Sequence, residues 1–330
     1  MRTPESIINQ LFQPHETQDF NALCLDLFRF QYKNNTSYRQ FVDFLGKHPK
    51  RIQSYRDIPF LPISFFKTQQ ITAGWFVPEV VFTSSGTTGS ATSQHFVKSK
   101  DLYIQSFMAG FNTFFGSPED FVILALLPSY LEREGSSLVL MADELIRKSN
   151  HPESGFFLHD YQGLSVILDE LKAAGKPTLL LGVTYALLDM AEQFPIDFPE
   201  LKVMETGGMK GKRKEMVRDE LHQQLKAGFG VGQIYSEYGM TELLSQAYST
   251  GEGIFRTPSW MKVLIRDTND PLTLLPENQS GGINVIDLAN VYSCAFIETQ
   301  DLGKSYADGS FEVLGRFDNS DVRGCNLMVV

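Results

Sequence analysis

The chain has 330 residues, enough for one large α/β domain or two ordinary ones, and 42% hydrophobic with 21% charged residues is a globular composition that excludes a disordered chain. With 29 Lys and Arg against 39 Asp and Glu, the formal charge of −10 argues against a nucleic-acid-binding stripe. No apolar run approaches the ~18 residues of a membrane span, the start MRTPESIINQ lacks a secretory apolar region, and Cys24, Cys294 and Cys325 have no metal-ligand spacing, so a reducing, cytoplasmic setting is expected.

No internal repeat or low-complexity tract interrupts the chain. Residues 1–70 read as helical and irregular. Near-helical apolar spacing predicts a helix over Tyr38–Phe44, and two prolines make Ile58–Ile63 extended or turn-like. Phe121–Leu127 is a continuous apolar run of strand length. Leu164, Ile167, Leu168 and Leu171 repeat with helical period until Gly175 and Pro177 stop them. A buried strand is expected at Thr178–Val183, a short helix from Ala186 to Phe194, and a strand at Leu201–Thr206. An amphipathic helix is then expected from Gly211 to Ala227, with Met216, Val217, Leu221 and Leu225 on one side, and a strand at Gln233–Tyr235.

This alternation predicts a parallel sheet with crossover helices. Past residue 250 the pattern changes to short strands, at 261–265, 282–286, 293–298 and 311–314. The fold class expected is therefore α/β: a body over residues 1–250 with parallel strands, and a smaller, mostly antiparallel β subdomain over 251–330.

One loop has a phosphate-binding composition. Thr83, Ser84, Ser85, Gly86, Thr87, Thr88 and Gly89 follow the apolar run Val80–Phe82. Glycines let a backbone approach an anion closely, successive N–H groups form a nest, and hydroxyls add donors. A plain surface turn has the same composition. The loop lacks the Gly-Lys-Ser/Thr ending of a P-loop. Tyr238, Gly239, Met240, Thr241 and Glu242 lie just after an expected strand, where parallel sheets place ligands. They offer an aromatic face, a hydroxyl and a carboxylate that can hold Mg²⁺. A helix over 241–247, capped by Glu242, is the competing reading. Asp301 is expected in a loop, suited to accept from two ribose hydroxyls, with Arg316 following.

In order and spacing these stretches resemble the adenylate-forming superfamily of acyl-CoA synthetases, peptide-synthetase adenylation domains and luciferases, over residues 80–325. Thr83–Gly89 resembles its phosphate loop, Gly207-Gly208 its adenine-pocket loop, and Tyr238–Glu242 its Tyr-Gly-x-Thr-Glu motif. Asp301 and Arg316 fall where it carries ribose-binding residues. Three further stretches, Pro59–Lys67, Pro128–Arg133 and Gly207–Gly211, are similar to the acyl-protein synthetase family of bacterial bioluminescence operons, which extends the resemblance over nearly the whole chain.

There are departures. Ala91-Thr92 stands where the phosphate loop usually ends in Pro-Lys, and Tyr130 is the nearest ring where many members have a His near Pro128. The chain stops at Val330, just after the hinge motif, so the family's mobile C-terminal domain with its adenylation lysine is expected to be absent.

The resemblance implies ATP and Mg²⁺ as cofactors and a small-molecule carboxylate, by family a fatty acid, as substrate. Activation would give an acyl-adenylate, followed by transfer to the thiol of a protein or carrier. It assigns Thr83–Gly89 to the triphosphate, Gly207, Gly208, Tyr238, Gly239 and Met240 to adenine and its surroundings, Thr241 to the α-phosphate, Glu242 to the metal, and Asp301 and Arg316 to the ribose. It also implies a protein partner that accepts the acyl group, and suggests Cys325 as an acyl acceptor, against a buried strand position as the plain alternative. A non-catalytic nucleotide binder and a truncated acyl-CoA ligase are the competing functions. Lys210, Lys212, Arg213 and Lys214 are expected at a helix N-terminus, either as a solvated face or as an anion site. Phe65, Phe66, Phe107, Phe111 and Tyr130 read as acyl-pocket lining or as core.

Overall fold

The computed structural model describes residues 2–12, 19–84, 92–127, 135–207, 213 and 216–317. The N-terminal part contains α1 (Pro4–Leu11), α2 (Phe20–Asn34) and α3 (Thr36–Phe44). Each helix is opened by a side chain, from Thr3, Asp19 and Asn35 in turn, that accepts one of the free N–H groups of the first turn. The proline-broken segment forms β1 (Leu61–Pro62) and a single turn, α4 (Phe65–Thr68). A hairpin of β2 (Val80–Thr83) and β3 (Gln94–Val97) leads to α5 (Lys100–Phe115).

The alternating stretch is β4 (Val122–Leu126), α6 (Ser137–Ser149), β5 (Gly155–Phe156), α7 (Tyr161–Ala173) and β6 (Thr178–Val183). It continues through α8 (Thr184–Gln193), β7 (Lys202–Thr206), α9 (Arg218–Phe229) and β8 (Ile234–Tyr238). The remainder is β structure: β9 (Ala247–Ser249), β10 (Ile254–Arg256), β11 (Met261–Arg266), β12 (Ser280–Asp287), β13 (Phe296–Ser305) and β14 (Phe311–Arg316).

Strands β5, β4, β6, β7 and β8 lie side by side and parallel. β8 then pairs antiparallel with β9, and the same sheet runs on through β10, β14, β13, β12 and β11, all antiparallel. β1 adds parallel to β13 at Ile297 and Glu298. The expected α/β class, with a parallel body and a mostly antiparallel end, is the one found. One sheet carries both.

The sequence pattern explains the parallel half. β4 and β6 are buried along their whole length, so they read as unbroken apolar runs. α8 and α9 pack together so closely that a Cβ on Gly228 would overlap the Ala191 methyl group.

Other boundaries differ from expectation. α9 begins at Arg218, not Gly211, and Val217 is an extended, exposed residue just before it. Charge accounts for the start: Asp219 and Glu220 suit the positive end of a helix, and a run of lysines there would oppose it. β8 extends to Tyr238, because the polar Ser236 and Glu237 are buried with partners and do not end the strand. Asp301 lies within β13, not in a loop. No helix forms over 241–247; the segment turns and enters β9. The buried Asp287 carboxylate, at the end of β12, accepts the N–H groups of Leu244 (2.8 Å) and Ser245 (2.9 Å), which a helix would have directed at its own carbonyls.

Candidate nucleotide site

β7 and β8 end side by side, with Thr206 in register with Glu237. The Thr206 hydroxyl donates to the Glu237 carboxylate. The C-terminal edge of parallel strands is where open α/β sheets bind ligands, and Gly207, Tyr238 and the turn through Glu242 all lie there. Gly207 has φ +67°, a left-handed conformation that glycine adopts without strain. Its carbonyl accepts from the Thr184 hydroxyl at 2.6 Å, and that hydroxyl also reaches Glu205 at 3.1 Å.

Three of the residues singled out in the sequence meet at this edge. The Tyr238 hydroxyl donates to Asp301 Oδ2 at 2.8 Å. Asp301 and Arg316 are register partners on β13 and β14, with Arg316 Nε 3.9 Å from Asp301 Oδ1. Burial pushes the Asp301 carboxyl up from the ordinary aspartate value, while the Tyr238 hydroxyl, Arg316 and Arg266 pull it back. The Tyr238 ring is buried beside Phe311 (5.7 Å) and Phe255 (6.1 Å), both edge-on. An adenine would have to meet Tyr238 on the side these rings leave open.

The fourth element is the root of the Ser/Thr/Gly loop. Thr83 pairs with Gln94 in the β2–β3 hairpin, and the Thr83 N–H donates to the Gly135 carbonyl at 2.8 Å. The Ser84 N–H donates to the Ser93 carbonyl (3.1 Å), and the Ser93 N–H to Ser84 Oγ (2.9 Å), closing the mouth of the loop. Ser85, Gly86, Thr87, Thr88 and Gly89 lie outside the described residues. Ser93, at the base of the loop, is buried, and its side chain is one of the groups that hold the Glu242 carboxyl down. Burial pushes the Glu242 carboxyl up; Ser93, its own backbone, and the charges of Arg316 and Lys67 work against that.

These surroundings suit a metal-bound phosphate. A buried carboxyl raised by desolvation gains most from a cation beside it. Among the described residues no group of three or more His, Cys, Asp or Glu could hold a metal ion. A magnesium ion at Glu242 would therefore draw further ligands from phosphate oxygens, as this ion commonly does.

Known proteins can be set beside this geometry. No family model matches the chain. It is 26% identical to the long-chain-fatty-acid–luciferin-component ligase of Vibrio harveyi, over 93% of this chain and 86% of that protein. A 2-hydroxyisobutyryl-CoA ligase structure, in the postadenylation state with R3-HIB-AMP, superimposes with a TM-score of 0.66 at 14% identity, covering 96% of this chain and 68% of that one. The ATP-bound MatB of Rhodopseudomonas palustris gives a TM-score of 0.55 at 17% identity over 73% of this chain, which spans about half (49%) of that protein's length. The chain has the fold of the adenylate-forming acyl-CoA ligases. The likeness to the bioluminescence ligase, expected from three short stretches, extends along most of the chain.

The shared fold gives the other stretches their place. Pro59–Lys67 lies against the site: β1 pairs with β13 just before Asp301, the Phe66 ring packs edge-on against His95 (5.7 Å), and Lys67 is one of the charges acting on Glu242. Phe66, Phe107 and Phe111 are buried core residues, and Phe65 packs on Phe41.

Arg213, the one described residue of the basic cluster, is not at a helix start: it binds Asp189 and Glu192 on α8, with Nε 3.0 Å from Asp189 and Nη1 2.7 Å from Glu192. Gly208, Lys210, Lys212, Lys214, Tyr130 and Cys325 lie outside the described residues. Among the described residues no helix is long and apolar enough to cross a membrane.

The structure adds residues that the sequence reading missed. Ser93, His95, Asp287 and Asn290 all touch the turn or the loop root, and Glu205 binds Arg218 at 2.9 Å beside Gly207. One signal was available: Asp287 and Asn290, like Asn284 and Ser293, are polar residues inside the mostly apolar run from Ile283 to Phe296.

Proposed function

We propose that the chain activates a carboxylic acid with ATP as an acyl-adenylate and then passes the acyl group to a thiol. The observation that carries this reading is the meeting of Tyr238, Asp301 and Arg316 at one strand edge, beside the turn that bears Thr241 and Glu242. Ser93, at the root of the hydroxyl-rich loop, is among the groups acting on the Glu242 carboxyl there. The Vibrio harveyi ligase, by its name, acts on a long-chain fatty acid, and a fatty acid is the substrate class proposed here.

In this reading an oxygen of the substrate carboxylate attacks the α-phosphorus of ATP. The bond between the α-phosphorus and the bridging oxygen breaks, and pyrophosphate leaves. The protein has little covalent work; it aligns the reacting oxygens and stabilises the charge that develops. Asp301 and Arg316 orient the ribose, and Thr83–Gly89 hold the triphosphate. Thr241 donates to the α-phosphate, while Tyr238 and Gly207-Gly208 border the adenine. Glu242 would hold magnesium, which neutralises phosphate charge when bound. Residues 1–250 supply the loop and the turn, and residues 251–330 supply the ribose-binding pair.

The acceptor thiol can be narrowed. Cys24 and Cys294 are buried, and burial pushes both thiols up, Cys294 to about 12, so neither offers a thiolate. The acceptor is therefore Cys325 or a thiol on another molecule. Mass spectrometry after incubation with ATP, Mg²⁺ and a labelled acid separates the two by a hydroxylamine-sensitive adduct on Cys325. The function itself is tested by carboxylate-dependent ATP–pyrophosphate exchange. Exchange with a long-chain fatty acid is expected; tight ATP binding with no exchange for any acid would leave a nucleotide-binding protein.

A further inference from the structure

The turn that carries Thr241 and Glu242 has no regular structure of its own, yet it is fixed on three sides by buried side chains from distant parts of the chain. His95, on β3, has Nδ1 3.0 Å from the Thr241 carbonyl and Nε2 2.9 Å from Ser293 Oγ. A carbonyl can only accept, so Nδ1 carries the proton, and Nε2 of the neutral ring accepts from the Ser293 hydroxyl. Asn290 donates from Nδ2 to the Glu242 carbonyl (2.8 Å) and to the Cys294 carbonyl (3.1 Å). Asp287 accepts from the Leu244 and Ser245 N–H groups and from Ser245 Oγ (2.6 Å), and is held by the Ala289 N–H (3.0 Å). His95, Asp287 and Asn290 are 0–1% exposed. Buried polar groups are costly unless paired, so these directed bonds favour one geometry of the turn; Asn290 Oδ1 alone of these groups is left without a partner.

We infer that His95, Asp287 and Asn290 form a buried bracket that sets where Thr241 and Glu242 stand, and that they are positioning residues for the phosphate chemistry of this site. The inference rests on the function proposed above. None of the three needs to touch a substrate: each holds a backbone group of the turn, and the turn presents the hydroxyl and the carboxylate. The Pro59–Lys67 segment supports the bracket from outside, through the Phe66 edge against the His95 ring.

The tautomer makes the inference testable. An asparagine at position 95 places an N–H donor as many bonds from Cα as His95 Nδ1 does; a glutamine places its amide where Nε2 lies. His95→Asn therefore keeps the bond to Thr241, and His95→Gln loses it. Two quantities are measured: the kcat and KM for ATP of the exchange reaction, and the amide hydrogen exchange of Leu244 and Ser245 in the protein without ligands. For His95→Gln, kcat is expected to fall about 10-fold or more, with KM changed by less than about 3-fold, and both amides to exchange about 10-fold faster. His95→Asn is expected to stay within about 3-fold of the parent in every quantity.

Ser293→Ala, which keeps the ring but removes the hydroxyl that donates to Nε2, shifts the same quantities the same way by about 3-fold. Equal losses in the Asn and Gln variants, or unchanged Leu244 and Ser245 amides in both the Gln and Ser293→Ala variants, would overturn the bracket. If the parent shows no pyrophosphate exchange with any acid, the proposed function fails while the amide measurement still decides the bracket.

Discussion

The two halves of the sheet are held by different forces. In the parallel half, β4 and β6 are buried, predominantly apolar strands covered by helices, and apolar burial is what specifies them. At the junction with the antiparallel half, the turn after β8 is specified by directed bonds from His95, Asp287 and Asn290. Apolar burial tolerates small displacements, whereas hydrogen bonds to buried groups do not. The second kind of support is found at the turn that carries Thr241 and Glu242, and the first kind in β4 and β6.

Substitutions in the two regions should therefore fail differently. Leu180→Ala, in the fully buried β6, is expected to cost about 2–5 kcal/mol of stability in denaturant unfolding, with ATP affinity of the folded protein unchanged. An equal loss of ATP affinity would show that the two halves are not separable. Glu242→Gln should do the reverse. Its rate of pyrophosphate exchange should drop by about 10²–10³-fold, while its melting temperature stays level or rises, because a buried charge has been replaced by a neutral amide of the same shape. Parental exchange and Mg²⁺ dependence in this variant would remove Glu242 from the metal role.

His95 gives the comparison a pH axis. Burial holds its ring down, from 6.5 to about 4. A folded-state value below the unfolded one means that the unfolded chain takes up the proton first. The stability contributed by neutral His95 is thus fully present above about pH 6.5 and is lost as pH falls toward 4, by about 3 kcal/mol in all. The buried carboxyls Glu242, Asp287 and Asp301 are shifted upward and act in the opposite sense. The quantity to read is therefore the difference in unfolding free energy between the parent and His95→Asn from pH 7 to pH 4. A difference that does not change with pH would contradict a buried neutral ring.

The smallest effect is expected at Arg213→Ala. Its carboxylate partners on α8 are partly exposed, so less than about 1 kcal/mol should be lost. ATP affinity should not change, because the guanidinium is already neutralised; weaker ATP binding would return the basic run to the site.

The same contrast explains what could be read from the sequence. Strands β4 and β6 are legible because burial on two faces leaves a nearly unbroken apolar run, and the strand expected at Thr178–Val183 is found with those bounds, whereas the two-residue β5 is too short to leave such a run. The Tyr-Gly-Met-Thr-Glu stretch, Asp301 and Arg316 were legible by resemblance, and the structure brings Tyr238, Asp301 and Arg316 together across β8, β13 and β14. The start of α9, the end of β8 and the absence of a helix at 241–247 were not legible, because each depends on a partner distant in sequence. Glu237 stays in a strand because Thr206 meets it, and Leu244 leaves the helical path because Asp287 takes its N–H. A lone histidine in Gln94-His95-Phe96 carries no mark of the carbonyl it will hold 146 residues further on.

The most direct test of acid activation follows the oxygen atoms. The chain is incubated with ATP, Mg²⁺ and a long-chain fatty acid labelled with oxygen-18 in both carboxylate positions, and the AMP, phosphate and pyrophosphate formed are examined by mass spectrometry. Attack of the carboxylate on the α-phosphorus leaves one carboxylate oxygen on that phosphorus when the acyl group departs, to a thiol or to water. The account predicts one labelled oxygen in AMP and none in pyrophosphate. Label in inorganic phosphate, or acid-dependent ATP consumption that yields unlabelled AMP, would contradict it.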